Sequence, residues 1–322
     1  MNLTRRALMG ATLISAAGAT LVAPAFAQGA MRPFEHDLGT TDIPVDPKRI
    51  VALHDISQTL PLIEFGKPPV GSGGRTDAEG KPYLLAGYSL TGVDFKNSDI
   101  VFVDREDFEA IAALSPDLIM TNNDSTLGQL SLIAPTIVLN RDTNPGLAQL
   151  RKVADAAGVL DRYDALEVRF KWQVERLRAQ LPDAASITVS LVTPEGETLS
   201  AHKHATRGSI GYLLAQLGFA EPAVVQHIDR GDAKISAELV TQLDGDFIIG
   251  SMGSDQPTPA DVHEAMETMA PGWTNFLHAP QHNQFIVISR DEALALSFSA
   301  FDLMEAIIQS NIAGRSFVPL AA

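Results

Sequence analysis

The sequence predicts an α/β protein of two lobes joined by one long helix, and three observations predict it. Residues 161–181 read DRYDALEVRFKWQVERLRAQL; Tyr163, Leu166, Phe170, Val174, Leu177 and Leu181 recur at steps of three and four, one face of an α-helix. On both sides of that run, short β-branched stretches alternate with helical ones. Two segments also echo each other across it. Residues 109–120 and 238–249 each run helix, turn, strand, with Glu109 and Glu238 eight residues ahead of the aspartates, Asp117 and Asp246, that open the strands.

The 161–181 helix has Asp161 as its expected N-cap, Glu167 four residues before Lys171, and Pro182 as its stop. At 1.5 Å per residue it spans about 30 Å, the width of a small domain. It therefore reads as a stiff strut between lobes, the other reading being a long surface helix within one domain. The expected divisions are a leader at 1–27, an N-terminal lobe at 28–158, the linking helix at 159–182 and a C-terminal lobe at 183–322.

The leader is read from Arg5 and Arg6, the apolar small-residue run 7–22, and Ala25-Phe26-Ala27, which has the form of a signal-peptidase site. Thr4-Arg5-Arg6 with Leu8 looks like a twin-arginine export signal, the alternative being a general secretory signal. The chain has no cysteine, which removes disulfides, thiolate metal sites and a lipid-bearing thiol. Its 322 residues suffice for two domains. The formal charge is −15, or −17 once residues 1–27 with their two arginines are removed. So acidic a chain is a poor fit to nucleic acid or anionic lipid.

In order, residues 28–48 read as an extended lead-in and 49–53 as a buried parallel strand. Asp55 is placed to cap the helix that follows, kinked at Pro61 and stopped by Gly66. A short strand at 69–71 empties into the loop Ser72-Gly73-Gly74-Arg75, and 76–98 reads as a long surface loop carrying Tyr83 and Tyr88. The first echo unit leads to the polar loop 121–124; a strand at 136–140 and a helix opened by Pro145 complete the lobe. The second lobe starts with a strand at 187–192, then an extended piece, then His202-Lys203-His204 and a helix at 208–217. Residues 221–235 read as irregular. The second echo unit, a loop at 250–255, a strand at 284–289, an exit loop at 290–298 and a closing helix at 300–312 follow.

Ligands in open α/β sheets bind beyond the carboxyl ends of the strands. Those exits supply His54, Arg75, Asn122 and Asn123 from the first lobe, and His202, His204, Arg207, Ser251 and Arg290 from the second. His227 and Arg230 lie in the irregular stretch, and Tyr88 and Phe298 are expected as aromatic platforms on cleft loops. Guanidinium groups and hydrogen-bond donors in that number suit an oxygen-rich anion. His202-x-His204 can present two imidazoles to one metal ion if both lie on one side of a strand. A nucleophile elbow and a phosphate-binding P-loop are absent from the sequence, so a secreted hydrolase is the remote alternative.

These residues carry a resemblance. Residues 47–53 (PKRIVAL), 108–119 (FEAIAALSPDLI), 133–137 (IAPTI), the 161–181 helix, 211–219 (GYLLAQLGF), and Trp273 followed by 285–288 (FIVI) resemble the periplasmic substrate-binding proteins of iron–siderophore ABC importers. Around 121–140 and 211–219 the chain looks most like ferric-enterobactin-type members. The resemblance covers residues 46–312 and implies two Rossmann-like lobes joined by one long rigid helix, the class III periplasmic binding protein architecture. It implies a non-enzymatic, monomeric periplasmic carrier, without cofactor, that holds a ferric siderophore in the inter-lobe cleft. Its other partner would be an inner-membrane ABC permease dimer, docked through Glu109 and Glu238. Where catecholate-binding members carry an arginine in the last exit loop, this chain has Ala295 or a neighbour, with Arg290 earlier. The siderophore class stays open, as does another chelate (haem, a corrinoid) or a bare metal ion.

Overall fold

The computed structural model describes residues 29–195, 198–227, 231–253 and 256–321. The expected leader and Arg230 lie outside the described residues. In chain order the strands are β1 (Met31–His36), β2 (Gly39–Pro44), β3 (Ile50–Ala52), β4 (Gly71–Ser72), β5 (Arg75–Thr76), β6 (Pro82–Tyr83), β7 (Val101–Phe102), β8 (Leu118–Thr121) and β9 (Thr136–Val138) in the first lobe. The second lobe holds β10 (Val189–Glu195), β11 (Thr198–His202), β12 (Asp232–Ser236), β13 (Phe247–Met252) and β14 (Phe285–Ser289).

Each lobe is built on a five-stranded sheet, β7-β4-β3-β8-β9 and β12-β11-β10-β13-β14. Numbered within its own sheet, each reads 3-2-1-4-5. The first is parallel throughout. The second pairs β10 with β13 and β13 with β14 in parallel, but β11 runs antiparallel to both its neighbours. The expected lead-in is in fact the hairpin β1–β2, which packs Phe34 and Ile43 into the core.

The echo is physical. Asp117 accepts the backbone N–H groups of Lys48 (2.6 Å) and Arg49 (2.9 Å), just ahead of β3, and Asp246 accepts that of Thr188 (2.7 Å), just ahead of β10. Each buried aspartate therefore opens strand four of its sheet and pins the start of strand one. Such hydrogen bonds compensate the burial of a carboxylate.

The linking helix runs Leu160–Gln180, with Asp161 in its first turn and Val159, which makes no side-chain cap, at the N-cap position. Tyr163, Phe170, Val174 and Leu177 are buried, as their spacing requires. The helix is not a free strut. Its apolar face belongs to one core cluster that also takes in Leu150 and Ile137 from the first lobe and Leu213, Phe301 and Met304 from the second. Phe298, expected on a cleft loop, is instead 2% exposed at the start of the helix Phe298–Ile308. Its ring lies 5.8 Å from that of Tyr163 and 6.4 Å from that of Phe65, so it joins the lobes from behind. Burying a large aromatic surface there outweighs leaving it as a platform.

A second seam ties the lobes along the segment 292–299. Leu296 donates its N–H to the carbonyl of Ile56 (2.9 Å), and Glu64 accepts the N–H groups of Phe298 (2.8 Å) and Ser299 (2.7 Å). Burial pushes the Glu64 carboxyl up. Ile56, Leu60 and Leu85 meet Leu294, Ala295 and Ala300 in an apolar cluster beneath the cleft. The expected exit loop 290–298 thus contains the helix Arg290–Leu294 and most of this seam. Residues 76–98 are also ordered, by the short β5–β6 ladder, the helix Gly87–Thr91 and side-chain bonds: Asp94 accepts from the backbones of Phe95 (2.8 Å) and Leu84 (3.0 Å), and Asn97 from that of Asp94 (2.7 Å). Such bonds leave no hydrophobic period to read.

Candidate functional site

The strand order reverses between strands one and four of each sheet, and residues after β3 and at the end of β13 border the gap between the lobes. Two chambers open there and meet at Arg141. One, about 540 Å³, is lined by His54, Arg75, Tyr83, Arg141, Arg290 and Asp291 among others. The other, about 720 Å³, is lined by Arg141, Asp142, His202, Lys203, Arg207 and Asp232 among others. Both fall in the range of small-molecule sites.

Arg75, Arg141 and Arg207 are each held by a local device. After β3 the chain forms a π-helical turn, Asp55–Thr59, with every residue buried. Contrary to the sequence expectation, Asp55 does not cap a helix there; His54 holds the N-cap position and Asp55 lies in the first turn. It points inward, accepts the N–H of Ile56 (3.0 Å) and pairs with Arg75 Nε at 3.3 Å. Pro61 falls in the first turn of the helix Leu60–Glu64, where a proline costs no hydrogen bond, so the irregularity lies ahead of it. Arg75 stands opposite Tyr83 on the hairpin β5–β6.

Arg141 is carried by the loop after β9. Asp37, from the β1–β2 hairpin, accepts from Asn140 N (2.6 Å), Thr143 Oγ1 (2.8 Å), Asn144 Nδ2 (2.8 Å) and Lys152 Nζ (3.2 Å). Burial works against the Asp37 charge, but these bonds outweigh it and lower its pKa. Arg141 reaches across the gap, its Nη1 donating to the Leu294 carbonyl at 3.3 Å.

Arg207 precedes the helix Gly208–Leu217. Gly208 has φ 61°, and a Cβ there would stand 2.4 Å from the Ala293 carbonyl oxygen. Only glycine lets this turn lie on the Arg290–Leu294 helix. Arg207 Nη2 donates to Thr193 Oγ1 at 2.9 Å.

The cations crowd one another. Burial, then Arg290 and Arg141, push Arg207 down to about 10; burial, with Arg75 and Arg290 acting against Asp142, lowers Arg141. Both stay charged at neutral pH. Of the lining acids, Asp142 and Asp232 are exposed, and burial pushes Asp291 up. An anion entering the cleft relieves this repulsion.

Of the residues expected from the sequence, His54, Arg75, His202, Arg207 and Arg290 come together here. Tyr88 does not line either chamber and is 66% exposed on the helix Gly87–Thr91. Asn122 and Asn123 are half-buried outside the lining, where Asn123 accepts from Ser125 in a tight turn. His204 and His202 diverge, because β11 ends at His202 and the backbone turns into a 3₁₀ helix. His204 Nε2 bonds the Val189 carbonyl at 2.8 Å, whereas His202 Nε2 bonds Thr193 Oγ1 at 3.0 Å. The Nε2 atoms of the two rings are thus engaged with different partners. Arg141, Tyr83 and Asp291 were not among the expected residues. Arg141 follows the strand at 136–140, so the strand-exit rule, applied to every strand, reaches it.

His54 and His202 are buried and held neutral, each pushed down to about 3 by burial first and then by neighbouring arginines. The unfolded chain takes up a proton at each near the ordinary value of 6.5 and the folded protein does not, so acid favours unfolding. Stability falls by about 1.4 kcal/mol per histidine for each pH unit below ~6.5. Urea unfolding at pH 6.5 and pH 5 should show this loss, to which His204 and His36, also lowered by burial, add, and His54→Asn should make it smaller. An unchanged acid slope in that variant contradicts the assignment.

A model described as periplasmic binding protein matches residues 103–292. YhfQ of Bacillus subtilis, which bears the name of an ABC transporter substrate-binding lipoprotein, is 29% identical over 252 residues, 72% of this chain and 73% of that protein. The ferric enterobactin-binding periplasmic protein FepB of Escherichia coli is 24% identical over 230 residues, 67% of this chain and 70% of that one. Among solved structures, the FhuD protein from S. pseudintermedius superposes with a TM-score of 0.72 at 21% identity, covering 89% of this chain and 99% of that one. That likeness is one of fold.

Proposed function

The chain belongs to the periplasmic binding protein family, and on that premise we propose that it captures an anionic ferric siderophore in the inter-lobe cleft and hands it to an ABC permease. One observation carries the reading: Arg75, Arg141, Arg207 and Arg290 converge on a single gap. A neutral or cationic chelate gains nothing from that field, and among the described residues Tyr83 is the one Phe, Tyr or Trp that lines the two chambers. A ferric complex whose carboxylates or catecholates leave it negative gains from every guanidinium. The name of the enterobactin-binding relative fits this chemistry.

Glu109 and Glu238 belong to the same reading. Both are exposed, each in the first turn of the helical segment leading to strand four of its lobe, Phe108–Ala113 and Ala237–Leu243. Helix starts in such lobes lie on the edge where strands end, so both acids stand on the rim that a permease dimer would meet. Export through the leader at 1–27, without a lipid anchor, and action as a monomer complete the proposal.

Quenching of intrinsic fluorescence by ferric enterobactin, ferric citrate, ferrioxamine B, haem and zinc tests it. Ferric enterobactin and ferric citrate, compact and multiply anionic, should bind far more tightly than ferrioxamine B and zinc, which are cationic, or haem, whose two propionates flank a large apolar ring that the chambers offer little aromatic surface to meet. Affinity for the first two should fall at least tenfold between 50 and 500 mM NaCl, as screening shortens the reach of the arginines. Preference for ferrioxamine B, haem or zinc overturns the reading.

A further inference from the structure

Arg207 stands among cations that repel it, with Arg290 and Arg141 closest in effect. A long side chain so placed swings toward water unless something holds it. The holding contact is Thr193 Oγ1, 2.9 Å from Nη2, and Thr193 is buried on β10. Thr193 Oγ1 in turn lies 3.0 Å from Nε2 of His202, buried on β11. In the register of this antiparallel pair Thr193 faces Ser200 and Leu191 faces His202, so Thr193 and His202 are diagonal neighbours on one face. The first lobe has no counterpart, since its second strand, β4, runs parallel to β3.

The protons fix the direction of this chain of bonds. A guanidinium only donates, so Thr193 Oγ1 accepts from Arg207. Thr193 has one hydroxyl proton, and among the described residues its side chain has no partner besides Arg207 and His202. Giving that proton to His202 Nε2 leaves no donor of the triad unused, and Nε2 is then the bare nitrogen of a neutral ring protonated at Nδ1.

We propose that Thr193 and His202 are positioning residues: a neutral hydrogen-bond relay that aims Arg207 into the cleft against the repulsion of its neighbours and so sets affinity for an anionic iron chelate. The proposal rests on the anionic-ligand reading above and deepens it. Thr193 is not among the residues lining either chamber, so its effect on binding passes through the two lining side chains it bonds, Arg207 and His202.

With ferric citrate and ferric enterobactin as probes, Thr193→Val should weaken binding about tenfold, as loss of a charge-assisted hydrogen bond does, and Thr193→Ser should restore it. His202→Leu should match Thr193→Val, while His202→Gln, which keeps an acceptor near the Nε2 position, should bind within about threefold of wild type. The deciding measurement is the double-mutant cycle with Arg207→Ala. In that background Thr193→Val should cost nothing further. A tenfold cost that persists without Arg207 marks a general packing defect and overturns the relay, as does wild-type affinity in Thr193→Val. Nitrogen-15 NMR of wild type gives an arm free of any ligand. His202 should show the Nδ1–H tautomer, and the Arg207 guanidinium resonance should be slowed by Thr193 and released in Thr193→Val. If neither probe binds wild type, the anionic-ligand reading fails, and the NMR arm alone decides whether the relay exists.

Discussion

Replacing Glu109 and Glu238 together by alanine should abolish iron uptake while leaving affinity for the ferric chelate within about twofold of wild type. Both acids are exposed, and neither takes part in a hydrogen bond or ion pair among the described residues. Each loses only the small favourable interaction of a carboxylate with a helix start, about 0.3–1 kcal/mol, so the fold should persist. The cleft arginines lie on other elements and keep their partners. The loss should fall on the encounter with the permease, where rim charges govern docking and its rate. Radioactive iron uptake in cells lacking the native copy, beside titration of the purified variant, separates the two effects. Collapse of ligand affinity, or uptake at the wild-type rate, sinks the docking role.

Arg141→Ala should lower affinity for the anionic chelate by more than thirtyfold, the largest effect of any single cleft substitution. Arg141 is the residue the two chambers share, and the Asp37 cluster holds its loop in place before any ligand arrives. Truncating one partner of a desolvated charge pair costs about 2–5 kcal/mol. Stability should move the other way or stay level. Removing one of several crowded guanidiniums relieves repulsion in the empty protein and forfeits one bond to Leu294. Arg141→Lys should recover only part of the affinity, because an ammonium lacks the planar fork that grips two oxygens at once. Calorimetric titration with a thermal melt of the apo variant reads both signs. A variant that binds normally but melts early assigns Arg141 to the fold alone.

The legible parts of this chain are those written in local period. The face of the linking helix, from Tyr163 to Leu177, is buried as its spacing requires, because a helical stripe of that length has to be covered. The paired echo was equally readable, and it marks Asp117 and Asp246, which pin the first strand of each sheet in the same way. Of the five expected residues that line the chambers, His54, Arg75 and Arg290 follow parallel strands, where the exit rule applies, whereas His202 ends the antiparallel β11.

What the sequence by itself determined is thus the plan: two lobes of one design, a helix along both, and a cleft with cations at its rim. Only the tertiary structure decided which exits converge. Phe298 left the cleft because an aromatic core lay within reach behind it. His202 and His204 parted because their strand ended between them, and Arg141 became central through a hairpin some hundred residues earlier in the chain, held by Asp37. The reason is physical: periodicity records which side of its own element a residue occupies, whereas a site between lobes depends on how separate elements pack, and no single stretch of chain encodes that.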